Sequence, residues 1–195
     1  MLNLELKYIL QGKRLIAGID EAGRGPLAGP VSVAAVIMPL DERIEGIDDS
    51  KKLTEKKREM LYDLITEKAI AVSSVMIDVD VIDRENILNA TKIGMVEALN
   101  ALSVKPDMVL VDGEKLNIAI DNEAIIYGDT LSYNIAAASI VAKVTRDRLM
   151  LAYANDYPQY GFEKHKGYGT KLHIEALKKY GATPIHREAF IKKFV

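Results

Sequence analysis

The sequence lacks cysteine, long uncharged stretches and a marked excess of either charge, and each of these absences excludes a class of protein. Without cysteine, the 195-residue chain can form neither a disulfide framework nor a thiolate metal site. No uncharged stretch is long enough to span a bilayer, and the first residues lack the basic and apolar regions of a secretion signal. We therefore expect a cytoplasmic protein without a membrane partner. A net charge of −2 argues against a nucleic-acid binder that relies on overall positive charge.

The chain reads as one domain with an uneven distribution of charge. Neither repeats nor linkers divide it, which predicts a single domain over residues 1–195, with a core at about 1–157 and a C-terminal loop and helices at about 158–195. Residues 143–195 contain 11 basic and 5 acidic side chains, a net charge of +6, whereas residues 1–142 carry −8. An acidic body beside a basic end can hold cations next to polyanions. On charge alone, a solvated basic helical surface explains the pattern equally well.

Apolar runs and helix caps predict an α/β fold. We expect strands at residues 15–19, 30–39, 69–79, 108–111 and 124–127, and helices at residues 55–68, 87–102, 131–157, 171–180 and 187–194, with a glycine-rich loop at 160–170. Two consecutive strands open the chain, and strands then alternate with helices. The pattern therefore predicts a mixed sheet with helices on its faces.

Carboxylates stand at the ends of three predicted strands. Asp20 and Glu21 follow the first strand, Asp112 follows the run at 108–111, and Asp129 comes after the strand at 124–127. Neighbouring strand ends bring their terminal residues together, and carboxylate oxygens suit Mg²⁺ or Mn²⁺. Four carboxylates can hold two ions at about 4 Å, the arrangement used for in-line displacement at phosphorus. The alternative for Asp112 and for Asp129 is that aspartate ends many strands because it favours turns.

Glycines flank an arginine directly after the first acidic pair. Gly23 and Gly25 leave the backbone on both sides of Arg24 free to adopt unusual angles, and they let a ligand approach its N–H groups. The alternative is an ordinary strand-to-turn junction with a solvated acidic pair. The glycines and the arginine together favour a binding loop.

Seven short motifs, spread over residues 14 to 188, carry a family resemblance. In chain order they are 20–25 (DEAGRG), 49–51 (DSK), 111–113 (VDG), 128–129 (GD), 136–148 (AAASIVAKVTRDR), 165–169 (HKGYG) and 184–187 (PIHR). Their order and sequences resemble ribonuclease HII, the type 2 ribonuclease H. The sequence departs from that pattern at Ala189, where a serine often stands, and it ends at Val195 without the longer helical tail of some members.

The resemblance implies a ribonuclease H-like fold, with a five-stranded mixed sheet flanked by helices and a small C-terminal helical part. It also implies an endoribonuclease that hydrolyses the RNA strand of RNA–DNA hybrids. Such an enzyme also cuts 5′ of single ribonucleotides embedded in duplex DNA, leaving 3′-hydroxyl and 5′-phosphate ends. The implied partners are these nucleic acids, and we expect a monomer without an obligate protein partner.

The same resemblance assigns the metal ligands. Two divalent cations, Mg²⁺ or Mn²⁺, would bind the catalytic residues, which map onto Asp20, Glu21, Asp112 and Asp129. Asp147 competes for the fourth position, but arginines flank it in the sequence, which is more typical of a structural ion pair.

Substrate-binding residues also follow from the resemblance. The Gly23-Arg24-Gly25 backbone would contact the ribose 2′-hydroxyl, a group that both donates and accepts hydrogen bonds. Tyr168 would stack on the sugar of the following deoxynucleotide, and the alternative is a ring that packs over its own loop. The candidates for phosphate contacts are Lys51, Ser139, Lys143, Lys166 and Arg187. Singly these five are more simply explained as surface residues, except Ser139 and Lys143, which share a helix face. His165 is a weaker candidate.

Three other classes fit the sequence less well. Ribonuclease HIII has an extra N-terminal substrate-binding domain, and we expect it to be absent because only about 14 residues precede the first strand. A metal-dependent phosphotransferase of the actin or sugar-kinase type needs glycine-rich nucleotide loops, which the sequence does not show. A non-catalytic nucleic-acid binder has no need of three acidic strand ends.

Overall fold

The computed structural model describes residues 3–195 and contains one sheet of five strands within that range. The strands are β1 (Ile16–Ala22), β2 (Val31–Ile37), β3 (Ala71–Ile77), β4 (Met108–Asp112) and β5 (Asn122–Ile125), in the spatial order β3-β2-β1-β4-β5. The first three pair antiparallel, whereas β4 lies parallel to β1 and to β5. The mixed sheet predicted from the sequence is therefore confirmed.

Helices surround the sheet. In residues 3–195 they are α1 (Asn3–Ile9), α2 (Glu55–Lys68), α3 (Val79–Glu85), α4 (Ile87–Asn100), α5 (Gly128–Leu131), α6 (Tyr133–Asp156), α7 (Phe162–His165), α8 (Lys171–Tyr180) and α9 (Glu188–Ile191), with short 3-10 turns at Ser50–Lys52 and Pro158–Tyr160. No helix of this part of the chain is both long enough and apolar enough to cross a membrane.

The sheet buries both of its faces. Successive residues of β2 alternate between them: Ala34 and Val36 pack with α2 and α6 on one face, whereas Val33 and Ala35 pack with α4 on the other. All seven residues of β2 are buried. This double cover explains why β2 reads in the sequence as an unbroken apolar run.

Helix α6 lies directly against the strand that carries the first acidic pair. A Cβ atom placed on Gly18 in β1 would lie only 2.1 Å from the backbone carbon of Asn134, at the start of α6. The helix begins at the cap residue Ser132, whose side chain accepts a hydrogen bond from the Ile135 N–H. Glycine at position 18 therefore sets how closely the helix approaches the sheet.

The C-terminal residues join the body through an apolar cluster. Tyr160, Phe162 and Leu177 pack with Leu27 and Met150, which belong to the loop after β1 and to α6. The same loop forms backbone hydrogen bonds with the C-terminal part, from Leu27 N–H to the Gly167 carbonyl and from Arg187 N–H to the Leu27 carbonyl, at 2.8 and 2.9 Å. The loop that follows the acidic pair is thus held from the C-terminal side.

Several expected boundaries are wrong. Strand β1 continues through Ala22, so Asp20 and Glu21 lie among its last three residues and not after it. The single helix expected at 131–157 is two helices, because Ser132 has an extended backbone between α5 and α6. The expected loop at 160–170 contains α7, and the last helix is shorter than 187–194.

Helix α1 was not expected from the sequence. Its Glu5 is completely buried, and one carboxylate oxygen accepts hydrogen bonds from the Ser132 hydroxyl at 2.6 Å and the Asn134 N–H at 3.1 Å. The partners lie about 130 residues away, so no local pattern announces this contact.

We predict that Gly18→Ala strongly destabilises the protein, since backbone atoms of α6 leave no room for the added methyl group. The free energy of unfolding, measured by urea denaturation, should fall by about 3 kcal/mol or more, at the upper end of the usual effect of overpacking. Gly181→Ala is the comparison variant: its φ of +81° disfavours any side chain, which Gly18 in its strand does not share, but no described atom lies within 4 Å of the added Cβ. That variant should lose only about 1–2 kcal/mol. Equal losses in both variants would contradict the close contact at Gly18.

Candidate active site

Three aspartates meet at one edge of the sheet. One carboxylate oxygen from each of Asp20, Asp112 and Asp129 lies within 4.8 Å of the other two. Strands β1 and β4 run parallel with Ile19 opposite Val111, so the residues that follow, Asp20 and Asp112, end up side by side. The expected gathering of carboxylates is thus present for these three.

Asp129 reaches the group from a short helix and not from a strand end. Tyr127 adopts the left-handed conformation, with φ of 58°, and turns the chain so that Gly128 begins α5. The Gly128 N–H donates a 2.7 Å hydrogen bond to Oδ1 of Asp112, which ties the start of α5 to the end of β4. A left-handed tyrosine is costly, and such strain is often found beside functional sites.

The aspartate group is strongly biased towards binding a cation. Burial raises the pKa of Asp20 well above its usual 3.8, and repulsion from Glu21 and Asp112 adds to the effect. Burial also raises the pKa of Asp112. Because ionised carboxylates in this position repel each other, a divalent cation would relieve the repulsion. An all-oxygen donor set fits Mg²⁺ or Mn²⁺.

Glu21 lies in the same cleft but apart from the three aspartates. Its Oε1 accepts a 3.3 Å hydrogen bond from Arg24, while Oε2 is buried and has no hydrogen-bond partner within residues 3–195. Burial raises the pKa of this carboxyl despite the neighbouring arginine. A buried carboxylate oxygen without a hydrogen-bond partner, next to a cation site, has lone pairs available to coordinate an ion. Glu21 therefore suits the role of a fourth ligand.

We define the catalytic cleft as the cavity of about 240 Å³ beside this group. It is lined by Asp20, Glu21, Ala22, Gly23, Arg24, Gly25, Ser50, Lys51, Lys143 and Tyr168. Eight of these residues are among the sequence-predicted site residues, and they come from segments more than 100 positions apart. The fold therefore assembles most of the predicted site in one cavity.

Lys51 places a positive charge against the aspartates. Its Nζ lies 3.1 Å from Oδ2 of Asp129. Burial lowers the pKa of the lysine, but this hydrogen bond and the nearby carboxylates outweigh burial, so the pKa is raised. The 3-10 turn that carries it is capped by Asp49 and held by Arg58, which donates to the carbonyls of Ser50 and Leu53.

Residues 23–30, called the substrate loop below, are held from beneath by Arg187. The guanidinium of Arg187 donates to the carbonyls of Gly23, Arg24 and Gly29 at 2.6, 2.9 and 2.9 Å. Arg187 is completely buried, so the expectation that it contacts a phosphate is wrong. Burial and the neighbouring Arg146 lower its pKa to about 9, which leaves it charged at neutral pH.

Arg146 supports the same loop from α6. It donates to the carbonyls of Ala28, Pro30 and Lys166 at 2.9–3.0 Å. Gly23, with φ of +97°, leaves room for it, since a Cβ there would lie 2.0 Å from Nε of Arg146. Neither Arg146 nor Arg187 forms a salt bridge with any described carboxylate, and we call these two residues the arginine pair.

The other expected phosphate contacts differ in exposure. Ser139 is buried, and its hydroxyl accepts a hydrogen bond from the Ser50 N–H and donates one to the Ala136 carbonyl. It therefore supports the turn that carries Lys51, and the expectation that it contacts a phosphate is wrong. Lys143 lines the cleft, with its Nζ 2.8 Å from Asp147. Asp147 thus belongs to an ion pair and stands outside the three-aspartate group.

Tyr168 reaches the cleft from the C-terminal part. Its ring is 43% exposed, and it lies close to Gly25, where an added Cβ would be 3.8 Å from the ring. The preceding residues Lys166 and Gly167 both have positive φ, at 49° and 86°. Lys166 itself donates to the Glu163 carbonyl at 2.5 Å.

The sequence did not reveal the arginine pair. In the sequence Arg146 is followed by the charged Asp147 and Arg148, and Arg187 follows a histidine, which is a typical surface pattern. Their acceptors are backbone carbonyls, which every residue carries, so side-chain chemistry gives no clue to the pairing. The small residues at Gly23 and Gly29 are the only local sign that a large group packs there.

Known proteins resemble this chain in both sequence and structure. The family model described as Ribonuclease HII matches residues 17–193. Ribonuclease HII of Acetivibrio thermocellus is 57% identical over 186 residues, which cover 95% of this chain and 73% of that protein. The crystal structure of ribonuclease H2 from Pyrococcus horikoshii superimposes with a TM-score of 0.78 at 28% identity, over 93% of this chain and 97% of that one.

A second solved structure is similar to a comparable degree. It is ribonuclease HII of Archaeoglobus fulgidus, described in complex with PCNA, with a TM-score of 0.77 at 27% identity, over 89% of this chain and 94% of that one. Since that protein is seen with a protein partner, the expectation that this chain needs none stays a prediction.

We predict that Asp20→Asn stabilises the metal-free protein. Folding raises the pKa of Asp20, so stability falls as the pH rises from 3.8 through the raised value, and the full penalty is present above that value. Asparagine removes this penalty, and each kcal/mol recovered should raise Tm by about 2–4 °C in a chain of this size.

The check is thermal unfolding in EDTA at pH 7, repeated with Mg²⁺. The parent should gain stability from Mg²⁺, and the variant should gain less. The contrary result would be a variant that is less stable than the parent in EDTA and still gains as much from Mg²⁺.

Proposed function

This chain belongs to the ribonuclease HII family, whose members are metal-dependent endoribonucleases acting on RNA–DNA hybrids, and on that premise we propose that it also cuts duplex DNA beside single embedded ribonucleotides. The cut falls on the 5′ side of the ribonucleotide and leaves 3′-hydroxyl and 5′-phosphate ends. The observation that carries the proposal is the catalytic cleft itself, where Asp20, Glu21, the glycine-flanked arginine and an exposed tyrosine line one cavity beside the three-aspartate group. The whole of residues 1–195 acts as one domain, since the C-terminal part supplies Tyr168 to this cleft.

In this proposal Asp20, Asp112 and Asp129 hold the divalent cations, with Glu21 as the fourth ligand. Two bound Mg²⁺ or Mn²⁺ ions would polarise the phosphodiester and stabilise charge on the attacking and leaving oxygens. The rigid ends of β1 and β4 fix Asp20 and Asp112, and the Gly128 N–H orients Asp112. The unpartnered Oε2 of Glu21 supports its role as a ligand.

The chain's own cations complement the substrate's phosphates. Arg24, Lys51 and Lys143 line the cleft around the carboxylates. Each presents an exposed or half-buried charged head that can bind a phosphate oxygen, and such contacts position a duplex without reading its sequence. The net charge of +6 after residue 142 extends this attraction beyond the cleft.

The substrate loop distinguishes a ribose from a deoxyribose. Arg187 occupies the carbonyls of Gly23 and Arg24 from the interior side. The N–H groups of Arg24 and Gly25 donate to no acceptor in residues 3–195, and Gly25 lines the cleft. Fixed donors at this position can hydrogen-bond a 2′-hydroxyl, which deoxyribose lacks.

Tyr168 supplies the second half of the recognition. Its exposed side chain stands beside Gly25 and lines the cleft. A ring that stacks on the sugar of the next nucleotide excludes a 2′-hydroxyl there, so the enzyme senses the step from RNA to DNA. We place this activity in the cytoplasm and assign it to a monomer.

The decisive experiment is cleavage of a duplex with one embedded ribonucleotide, in Mg²⁺ and separately in Mn²⁺, with the cut position mapped. We expect a single cut 5′ of the ribonucleotide and a 5′-phosphate on the downstream product. An all-DNA duplex is the negative control, and a long RNA–DNA hybrid reports the family's general activity. Cleavage of the hybrid without cleavage at the single ribonucleotide would overturn the proposal.

We predict that Asp112→Asn lowers kcat by about 10³-fold or more, because a ligand to catalytic metal contributes several kcal/mol in the transition state and 1.36 kcal/mol is a factor of ten. Asp147→Asn is the matched control, since Asp147 bears the same charge next to the cleft but pairs with Lys143. That variant should keep activity within about tenfold of the parent. A reversed order of the two losses would assign the ligand role to Asp147.

We predict that Tyr168→Ala reduces kcat/KM about tenfold or more on the single-ribonucleotide duplex and by less on a long hybrid, which contains no RNA-to-DNA step at most cut positions. Stacking on aromatic rings contributes about 1–3 kcal/mol. Tyr168→Phe keeps the ring and should behave like the parent. Equal losses on both substrates would contradict junction sensing.

A further inference from the structure

We propose that His173 and His186 act together as positioning residues that fix the backbone of Tyr168 through a chain of hydrogen bonds, and so set the ring for the recognition proposed above. This inference rests on the proposed function for its consequence in catalysis. The hydrogen-bond chain itself is a separate structural claim. We call Thr183, His186, His173 and the Tyr168 carbonyl, in that order, the histidine chain.

Three histidines lie inside the C-terminal part. His165, His173 and His186 are 8%, 0% and 3% exposed, and they pack against the rings of Tyr160 and Phe162. The rings of His165 and His173 stack with their centroids 4.7 Å apart. Such a cluster of buried polar rings needs internal hydrogen bonds to offset the loss of water.

The hydrogen bonds fix which ring nitrogen carries each proton. The Thr183 N–H donates to Nδ1 of His186 at 3.0 Å, so the neutral ring of His186 carries its proton on Nε2. That Nε2 lies 3.0 Å from Nε2 of His173, which must therefore accept. His173 in turn carries its proton on Nδ1 and donates it to the Tyr168 carbonyl at 3.0 Å.

All three rings are neutral at physiological pH. Burial lowers the pKa of His165 and of His173, and burial together with the neighbouring His173 lowers that of His186 to about 4. A neutral chain has one direction of donation throughout, from Thr183 to Tyr168. Each histidine is thus committed to one tautomer.

Tyr168 needs this support because few groups hold its side chain; the Arg146 guanidinium lies 5.9 Å from its ring centroid. The ring is 43% exposed and stands between Gly167 and Gly169, which are the least restrained residues in a backbone. The Tyr168 N–H donates to the His165 carbonyl, and its carbonyl accepts from both Thr170 N–H and His173. Since packing covers only part of this side chain, a fixed backbone on both sides of Tyr168 is needed for the ring to keep one orientation.

His165 completes the frame from the other side of the turn. Its Nδ1 accepts from the Gly167 N–H at 3.2 Å, and its Nε2 donates to the Tyr160 carbonyl at 2.9 Å. With both nitrogens engaged inside the protein, His165 has no free group for proton transfer to a leaving oxygen. It therefore holds the left-handed backbone at Lys166 and Gly167 in place.

The test compares two variants of His173. Asparagine carries its amide nitrogen near the position of Nδ1 and keeps a donor for the Tyr168 carbonyl, whereas leucine of similar bulk offers none. Both lose the contact with His186, so a purely structural role predicts similar behaviour. Positioning predicts that only His173→Leu lowers the ratio of kcat/KM on the single-ribonucleotide duplex to that on a long hybrid, by about tenfold, while His173→Asn stays within about threefold of the parent.

Two further readouts do not depend on catalysis. Nitrogen-15 NMR of the histidine rings should show His173 protonated on Nδ1 and His186 on Nε2 at pH 7. Backbone relaxation should show order at Tyr168 in the parent and in His173→Asn, and increased motion in His173→Leu. If His173→Leu does not fold, His186→Gln, which keeps a donor near Nε2, and His186→Leu provide the same comparison one step earlier in the chain.

The outcomes separate this inference from the proposed function. If Tyr168→Ala changes the substrate ratio but both leucine variants leave it and the order at Tyr168 unchanged, the positioning role is wrong. The opposite tautomers in the parent also overturn it. If the leucine variants loosen Tyr168 and neither they nor Tyr168→Ala change the ratio, the histidine chain stands and junction sensing by Tyr168 falls.

Discussion

Two buried positive charges without a carboxylate partner constrain the catalytic face of this protein. A buried guanidinium needs its donors satisfied, and Arg146 and Arg187 find only backbone carbonyls, six in all. Five of these carbonyls belong to the substrate loop, so the loop must turn its oxygens inward. The shape of the loop follows from this requirement, because glycine at 23 and 29 makes room for the charged groups. Hydrogen bonds to charged donors contribute about 1.5–3 kcal/mol each, which makes this loop rigid.

The acidic group beside the loop has the opposite charge and a different origin. Strand pairing, not charge, brings Asp20 and Asp112 together, because β1 and β4 pair up to the residues just before them, and the pairing with β2 and β5 holds both aspartates whether or not the carboxylates repel. The stability of the packed sheet and its two layers of helices offsets this repulsion. Arg24 connects the two regions through its contact with Glu21. The aspartates at the strand ends and the buried arginines under the loop thus lie next to each other. Negative and positive groups of the protein are therefore both close to the cleft.

Much of the site could be read from the sequence, and the part that could not has a physical explanation. Apolar runs that stop at Asp20, Asp112 and near Asp129 predicted the metal group, because strand ends of neighbouring strands coincide in any sheet. The burial of Arg187 and Ser139 was not predictable, since their partners are backbone atoms in distant segments. The role of Arg146 stayed hidden for the same reason, and that of Glu5 because its partners, side chain and backbone, lie about 130 residues away. The role of His173 depends on the ring of another buried histidine, which no sequence pattern indicates. The left-handed Tyr127, which brings Asp129 into place, breaks a local preference that sequence patterns assume.

Lys51 gives the metal site a competitor that belongs to the chain itself. Its ammonium occupies one oxygen of Asp129, so an incoming ion meets a positive charge that must move aside. A polyanion that draws Lys51 towards a phosphate releases that oxygen. The proposed function therefore couples nucleic acid and metal through one side chain, and thermodynamic reciprocity would require each to raise the affinity for the other by the same factor. Under the proposed function, the metal concentration needed for half-maximal activity should therefore fall as the substrate concentration rises.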